Sequence, residues 1–206
     1  MLDSLNEIQK DALREMSSVG AGNAATALSQ MIKKTVTIKV PEVNFTTIDD
    51  ATHAGCSPET VVSAVCMKVL GEIEGIMLIS FGMAGATCLS DILLGKERGQ
   101  KPVHIIDEMG ISALKEISSI LGGAYLNAIS KMFGMRLTMS LPSFSEDMAG
   151  ALIENVLAET SKDADYAIVV NTELKIVDEK IMARFFFMPD NNSLNKVLCA
   201  MGAGTA

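Results

Sequence analysis

The sequence predicts an α+β fold of two pseudo-symmetric repeats, with long helices packed on a largely antiparallel β-sheet. Three observations predict it. Shifted by 101 residues, the chain matches itself: Arg14–Pro41 laid on Lys115–Pro142 gives nine identities in 28 positions, among them Glu15/Glu116, Ser17/Ser118, Ser18/Ser119, Gly22/Gly123, Ser29/Ser130 and Pro41/Pro142. Each half opens with a long stretch whose apolar residues recur every three or four positions, the period of a helix with one buried face. The segments that follow are short, β-branched or alternating, and lack the regular helical spacers of a parallel βαβ sheet. The 206 residues are read as a single domain of two internal repeats, about 1–100 and 101–206.

In the first half the helix is expected over Ser4–Lys34, from Leu13, Met16, Gly20, Ala24, Ala27 and Met31. Strands follow at Thr35–Val40, Val43–Ile48 and Val61–Leu70, with another at Glu74–Phe81 after the turn-prone Gly71. A helix over Ala84–Leu94 ends at Gly95 as C-cap, and the polar stretch Lys96–Pro102 links the halves. The second half repeats the plan: a helix near Ile106–Phe133, strands near Met135–Leu141, Tyr166–Leu174 and Lys180–Met188, and a short helix after Pro189. One difference is expected. After Pro142 the stretch Glu146–Glu154 reads as a helix, where the first half shows only strand and loop.

Composition narrows the function classes. With 25 acidic against 17 basic side chains, a net charge of −8, the chain lacks the clustered Lys and Arg that nucleic acid or an anionic membrane requires. No apolar run reaches the ~18 residues of a membrane span, and the N-terminus has neither a basic region nor an apolar core of a secretory signal, so cytoplasmic residence is expected. Cys56, Cys66, Cys88 and Cys199 form no Cys-x-x-Cys pair, and His53 and His104 lie far apart, so neither a metal site nor a His-based triad is expected. Gly20-Ala21-Gly22-Asn23-Ala24-Ala25 formally matches a dinucleotide fingerprint, but it lies inside a helical pattern with no strand before it. Its small residues read as close helix packing.

On the first helix Asp11, Glu15 and Ser18 fall within a sector of about 60°, forming one polar stripe. Ser112, Glu116 and Ser119 form its counterpart on the second. In each half a proline follows after 22 intervening residues, at Pro41 and Pro142. A lone carboxylate in such a place is usually a solvated helix face near a basic neighbour, here Arg14 or Lys115. The retention of Glu, Ser and Ser in both halves, amid a surface that differs, argues for a shared role.

The segment from Glu15 to Ala27, its degenerate copy from Glu116, and the two prolines together resemble the CheC family of chemotaxis proteins. That family is built of two α/β repeats, and its motif is Asp or Ser, Glu after three intervening residues, Asn after two, and Pro after 22. The resemblance implies dephosphorylation of the response regulator CheY, with Glu15 and Glu116 docking the partner and Ser18 and Ser119 standing where the family places the asparagine that orients the attacking water. Asp11, Ser112, Pro41 and Pro142 match the remaining motif positions. It also implies binding of the receptor deamidase CheD through the helix after the second proline, near Asp147. No cofactor of its own is implied; Mg²⁺ belongs to the CheY partner. Two readings follow from the serines: a weak phosphatase with a degraded motif, or a non-catalytic adaptor that keeps the docking surface. Flagellar-switch proteins resemble the same repeat fold and give a third.

Overall fold

The computed structural model describes residues 5–53, 57–96, 106–160 and 164–203. Its elements run α1 (Glu7–Ile32), β1 (Val36–Thr47), α2 (Ile48–His53), β2 (Val61–Gly71), β3 (Gly75–Gly82) and α3 (Met83–Leu94), then α4 (Glu108–Phe133), β4 (Leu137–Met139), β5 (Ser143–Met148), α5 (Ala149–Thr160), β6 (Tyr166–Ile176), β7 (Glu179–Pro189) and α6 (Asn191–Leu198). A π-type turn, Cys199–Ala203, follows.

All seven strands join one antiparallel sheet in the order β1-β6-β7-β3-β2-β4, with β5 also paired to β2. The expected α+β class with an antiparallel sheet is what forms. Its order crosses the halves: β1 pairs with β6 from Val36–Ile176 to Thr47–Tyr166, while β4 and β5 pair with β2. Strands β3 and β7 meet at the centre.

Side-chain alternation along each strand feeds two apolar clusters. On one face Val65, Met67 and Val69 of β2 and Val170, Phe185 and Phe187 of β6 and β7 pack under α1, α3, α4 and α6. On the other, Val62, Ala64, Leu78, Val169 and Phe186 pack under Ile48 and Ala51 of α2 and Leu152, Ile153 and Val156 of α5. This second layer was not expected from the sequence.

Helix α1 starts later than Ser4 because Asn6 forms a capping box with Gln9: the Asn6 side chain accepts from Gln9 N at 2.9 Å, and Gln9 Oε1 accepts from Asn6 N at 2.8 Å. It ends at Ile32 because Lys33 turns left-handed, with φ 53°. Asp107 caps α4, and Gly95 ends α3 in the left-handed region as expected. Where α1 and α4 pack, Gly20 lies so close to Tyr125 that an added Cβ would stand 2.7 Å from the ring. The close packing expected of this small-residue stretch therefore holds at Gly20, inside a continuous helix.

Three expectations are corrected. The two strands expected at 35–40 and 43–48 are one strand, β1, with a bulge between Lys39 and Glu42 where Pro41 supplies no N–H to the ladder. The difference expected between the halves is absent, since α2 begins at Ile48 and α5 at Ala149, positions 101 apart. Finally, Glu146 and Asp147 are not helical: they belong to β5, opposite Ser63 and Val62, because pairing to β2 overrides their local helix preference. The interhalf stretch Lys96–Pro102 lies mostly outside the described residues, as do Cys56 and His104.

Two outcomes are predicted. Because β1 has its ladder partner only in the other half, residues 1–100 alone will show no cooperative denaturant transition by circular dichroism, and mixing with 101–206 will restore one. Burial pushes the Tyr125 phenol above its ordinary value, against a weaker opposing effect of Thr172. The unfolded phenol ionises near pH ~10 and the folded one later, so Tyr125 stabilises the fold below that pH and the contribution is lost as pH rises through it. Urea midpoints of the native chain and Tyr125→Phe will therefore converge or cross above about pH 10.

Candidate functional site: the outer faces of two paired helices

The structure places Asp11, Glu15 and Ser18 on the exposed side of α1, and Ser112 and Glu116 on that of α4, with Ser119 half-buried. The inward sides of the same helices carry Leu13, Met16, Gly20 and Ala24, and Leu114, Ile117, Leu121 and Ala128. Amphipathic period and sheet packing thus aim the stripes at solvent.

Partners of these groups differ. Asp11 is tied to Arg14 at 2.9 Å in an exposed pair. Ser112 Oγ donates to the Glu108 carbonyl at 3.0 Å and Ser119 Oγ to the Lys115 carbonyl at 2.8 Å, both one turn back along the helix. Glu15, Glu116 and Ser18 make no hydrogen bond or ion pair among the described residues. The first stripe therefore presents a carboxylate and a hydroxyl both uncommitted, separated by one helical turn. In the second only the carboxylate is free.

The prolines and neighbouring serines fix each helix to its following strand. Ser29 Oγ accepts from Val36 N at 3.0 Å and Ser130 Oγ donates to the Met135 carbonyl, bridging α1 to β1 and α4 to the approach of β4. Pro41 occupies the β1 bulge, and Pro142 occupies the break between β4 and β5. Neither carries a reactive group; both shape the strand beside a stripe-bearing helix. A cleft of about 350 Å³ lies between α1 and β1, lined by Lys10, Leu13, Arg14 and Val43 to Phe45.

Asp147 is not brought to the stripes. Its side chain shares the sheet face of its partner Val62, the face under α2 and α5, whereas α1 and α4 cover the opposite one. There it lines a cleft of about 610 Å³ with Cys66, Ser143, Ser145, Glu146 and Asn155. The carboxylate accepts from Met148 N at 2.7 Å immediately before α5.

Some features of the stripes escaped the sequence reading. Gly22 continues the first stripe, exposed in mid-helix, and an added Cβ would meet nothing within 4 Å; at Gly123 it would meet only Met139 Cε at 3.7 Å. The packing role expected of Gly22 is therefore not observed. Ile8 and Met109, also 101 residues apart, stand at the other end with 68% and 65% exposure. Equal spacing was the signal that could have found them. Among the described residues no group of three His, Cys, Asp or Glu side chains is placed to hold a metal ion, and no helix is long and apolar enough to cross a membrane.

Residues 8–45, which carry the first stripe and most of β1, match the model of the CheC-like family. Over 205 residues the chain is 29% identical to the CheY-P phosphatase CheC of Bacillus subtilis, covering 98% of each protein. In both respects the chain is similar to the CheC-like family. A second relative, the flagellar motor switch phosphatase FliY of Bacillus subtilis, is 27% identical over 142 residues, which are 68% of this chain and 36% of that protein. The crystal structure of Thermotoga maritima FliY shares the fold, with a TM-score of 0.78 at 18% identity, across 98% of this chain and 99% of that one.

One consequence concerns the buried side of the stripes. Ser17 and Ser118, adjacent to Ser18 and Ser119, are fully buried and their hydroxyls have no hydrogen-bond partner. An unmet buried hydroxyl costs about 1–3 kcal/mol, and alanine also favours helix. Ser17→Ala and Ser118→Ala are each expected to raise stability by roughly 1 kcal/mol, read from urea midpoints at unchanged slope.

Proposed function

We propose that this protein is a cytoplasmic chemotaxis protein of two repeats that hydrolyses the aspartyl phosphate of a CheY-type response regulator, slowly, by positioning water. The observation that carries this reading is the pair Glu15 and Ser18, exposed one turn apart with no internal partner. Similarity to the CheY-P phosphatase CheC supplies the substrate class.

The chemistry asks little covalent work of the protein. Water attacks phosphorus in line, the P–O bond to the partner's aspartate breaks, and aspartate and inorganic phosphate leave; the regulator's own Mg²⁺ holds the phosphoryl oxygens. Glu15 and Glu116 supply anionic docking groups for a cation beside that phosphate, while Ser18 and Ser119 hold the water. Serine can donate and accept, but it reaches about one bond less far than asparagine. Misplacement near 1 Å costs on the order of 100-fold, which is why turnover is slow. Of the two sites the first is the more active, since Ser119 must leave the Lys115 carbonyl before it can serve.

CheD docks on the other sheet face, over Asp147 and α5. Charge and an adjacent cleft support this, and its position leaves the stripes open, so both partners bind at once. The engaged Ser119 favours a second reading: an adaptor that binds phosphorylated CheY and CheD without turnover.

Decay of radiolabelled CheY phosphate tests the proposal. Acceleration by the native chain, lost in Glu15→Ala/Glu116→Ala, is expected, with a gain on the order of 10- to 100-fold in Ser18→Asn and a smaller one in Ser119→Asn. Intact CheY binding with no acceleration establishes the adaptor instead.

A further inference from the structure

A glycine inside a helix is a liability unless something needs its missing side chain, because it loses more backbone freedom than any other residue and leaves the turn underpacked. Gly20 has such a need in Tyr125, as does Gly122, where an added Cβ would stand 2.9 Å from Met77 Sδ. Gly22 has none among the described residues, and Gly123 has only an ordinary contact at 3.7 Å. Both are nevertheless glycine, at the same position of the 101-residue repeat.

Their place on the helix is informative. Counting 100° per residue, Ile8, Asp11, Glu15, Ser18 and Gly22 fall within about 80° and span roughly 21 Å of axis. Met109, Ser112, Glu116, Ser119 and Gly123 repeat the series. Each polar stripe is thus bracketed by an exposed aliphatic side chain at one end and a glycine at the other, where the helix backbone is bare at Gly22 and half-buried beside Met139 at Gly123. Exposed aliphatics that large, on an otherwise polar face, add burial to a docked surface.

We propose that Gly22 and Gly123 are close-approach positions of the docking surface: the phosphorylated receiver protein that pairs a cation with Glu15 or Glu116 packs a side chain directly onto the helix backbone there, anchored at the far end by Ile8 or Met109. The inference rests on the docking reading given above and deepens it. The occupant is committed by charge and continuity: a phospho-aspartyl protein carrying a cation beside its phosphate meets the free carboxylate at the middle of the ridge. The glycine then sets how near the helix comes to the phosphoryl group, which decides whether a short serine side chain can reach the water. A methyl group at Gly22 holds the two surfaces apart by about 1 Å or more, and positioning chemistry is sensitive to displacement on that scale.

The test separates a docking role from a merely neutral glycine. Gly22→Ala and Gly22→Leu are compared with the native chain and Glu15→Ala/Glu116→Ala by thermal melting and by calorimetric titration with beryllofluoride-activated CheY. Because an added Cβ at Gly22 meets nothing within 4 Å among the described residues, and the position is exposed, melting temperature is expected to hold or rise in both glycine variants. Affinity at the first site is expected to fall about tenfold for alanine and further for leucine. Melting temperature raised with affinity unchanged, while Glu15→Ala/Glu116→Ala still loses binding, overturns this proposal and leaves the docking reading standing. No binding by the native chain overturns both. Ile8→Ser, expected to weaken affinity about threefold without lowering the melting temperature, checks the opposite end of the same ridge.

Discussion

The exchange of first strands between the two halves holds the rest of the molecule in place. Strand β1 completes the sheet beyond β6, and β4 with β5 completes it beyond β2, so each long helix is bound to a strand that lies in the opposite half. The helices have no freedom to separate once those ladders form. They come to rest against one another over a single sheet face, with Gly20 admitting the Tyr125 ring between them. Every stripe residue owes its outward direction to this arrangement, since the inward sides of both helices are committed to the sheet and to each other.

That arrangement sorts chemistry by face. The helical face offers free carboxylates and a free hydroxyl on rigid, well-capped helices, a setting suited to positioning rather than to nucleophilic attack. The opposite face holds Asp147 at the mouth of a cleft framed by β5 and α5. The stripes and the Asp147 cleft therefore open on opposite faces of the sheet. The halves are alike in plan and unlike in detail: Ser112 stands in the second stripe where the first has Asp11 paired to Arg14, and the Ser119 hydroxyl is bonded to the Lys115 carbonyl where that of Ser18 is idle.

Much of the fold was legible because period and punctuation agree. The two long helices, β2, β3, β6 and β7 follow from apolar spacing, and Gly95 marks its helix end because its left-handed φ suits glycine. Where reading failed, a longer-range force had won. Pro41 looks like a strand break, yet a bulge absorbs it because β6 pairs on both sides of it. Glu146 and Asp147 look helical, but the ladder to β2 claims them. Six residues of α2 are too few for a helical period to show. The stripe positions were readable from spacing alone, whereas the idle hydroxyl of Ser18 and the engaged one of Ser119 are side-chain rotamers that spacing does not fix, and the contrast between a packed Gly20 and a bare Gly22 depends on Tyr125, distant in sequence.

The crossed strands also set a schedule for synthesis. The hairpin of β2 and β3 can close as soon as it emerges, but β1 ends at Thr47 and its partner β6 is complete only at Ile176, about 130 residues later. At roughly 5–20 residues per second, that leaves an unpaired twelve-residue edge waiting on the order of ten seconds outside the ribosome. Pro41, which has no N–H to offer a neighbouring strand, and the charged Lys39 and Glu42 beside it are the features that discourage a stray strand from adding there. A proline that shapes the strand beside a polar stripe in the finished protein thereby also guards the nascent chain against wrong pairing before its second half exists.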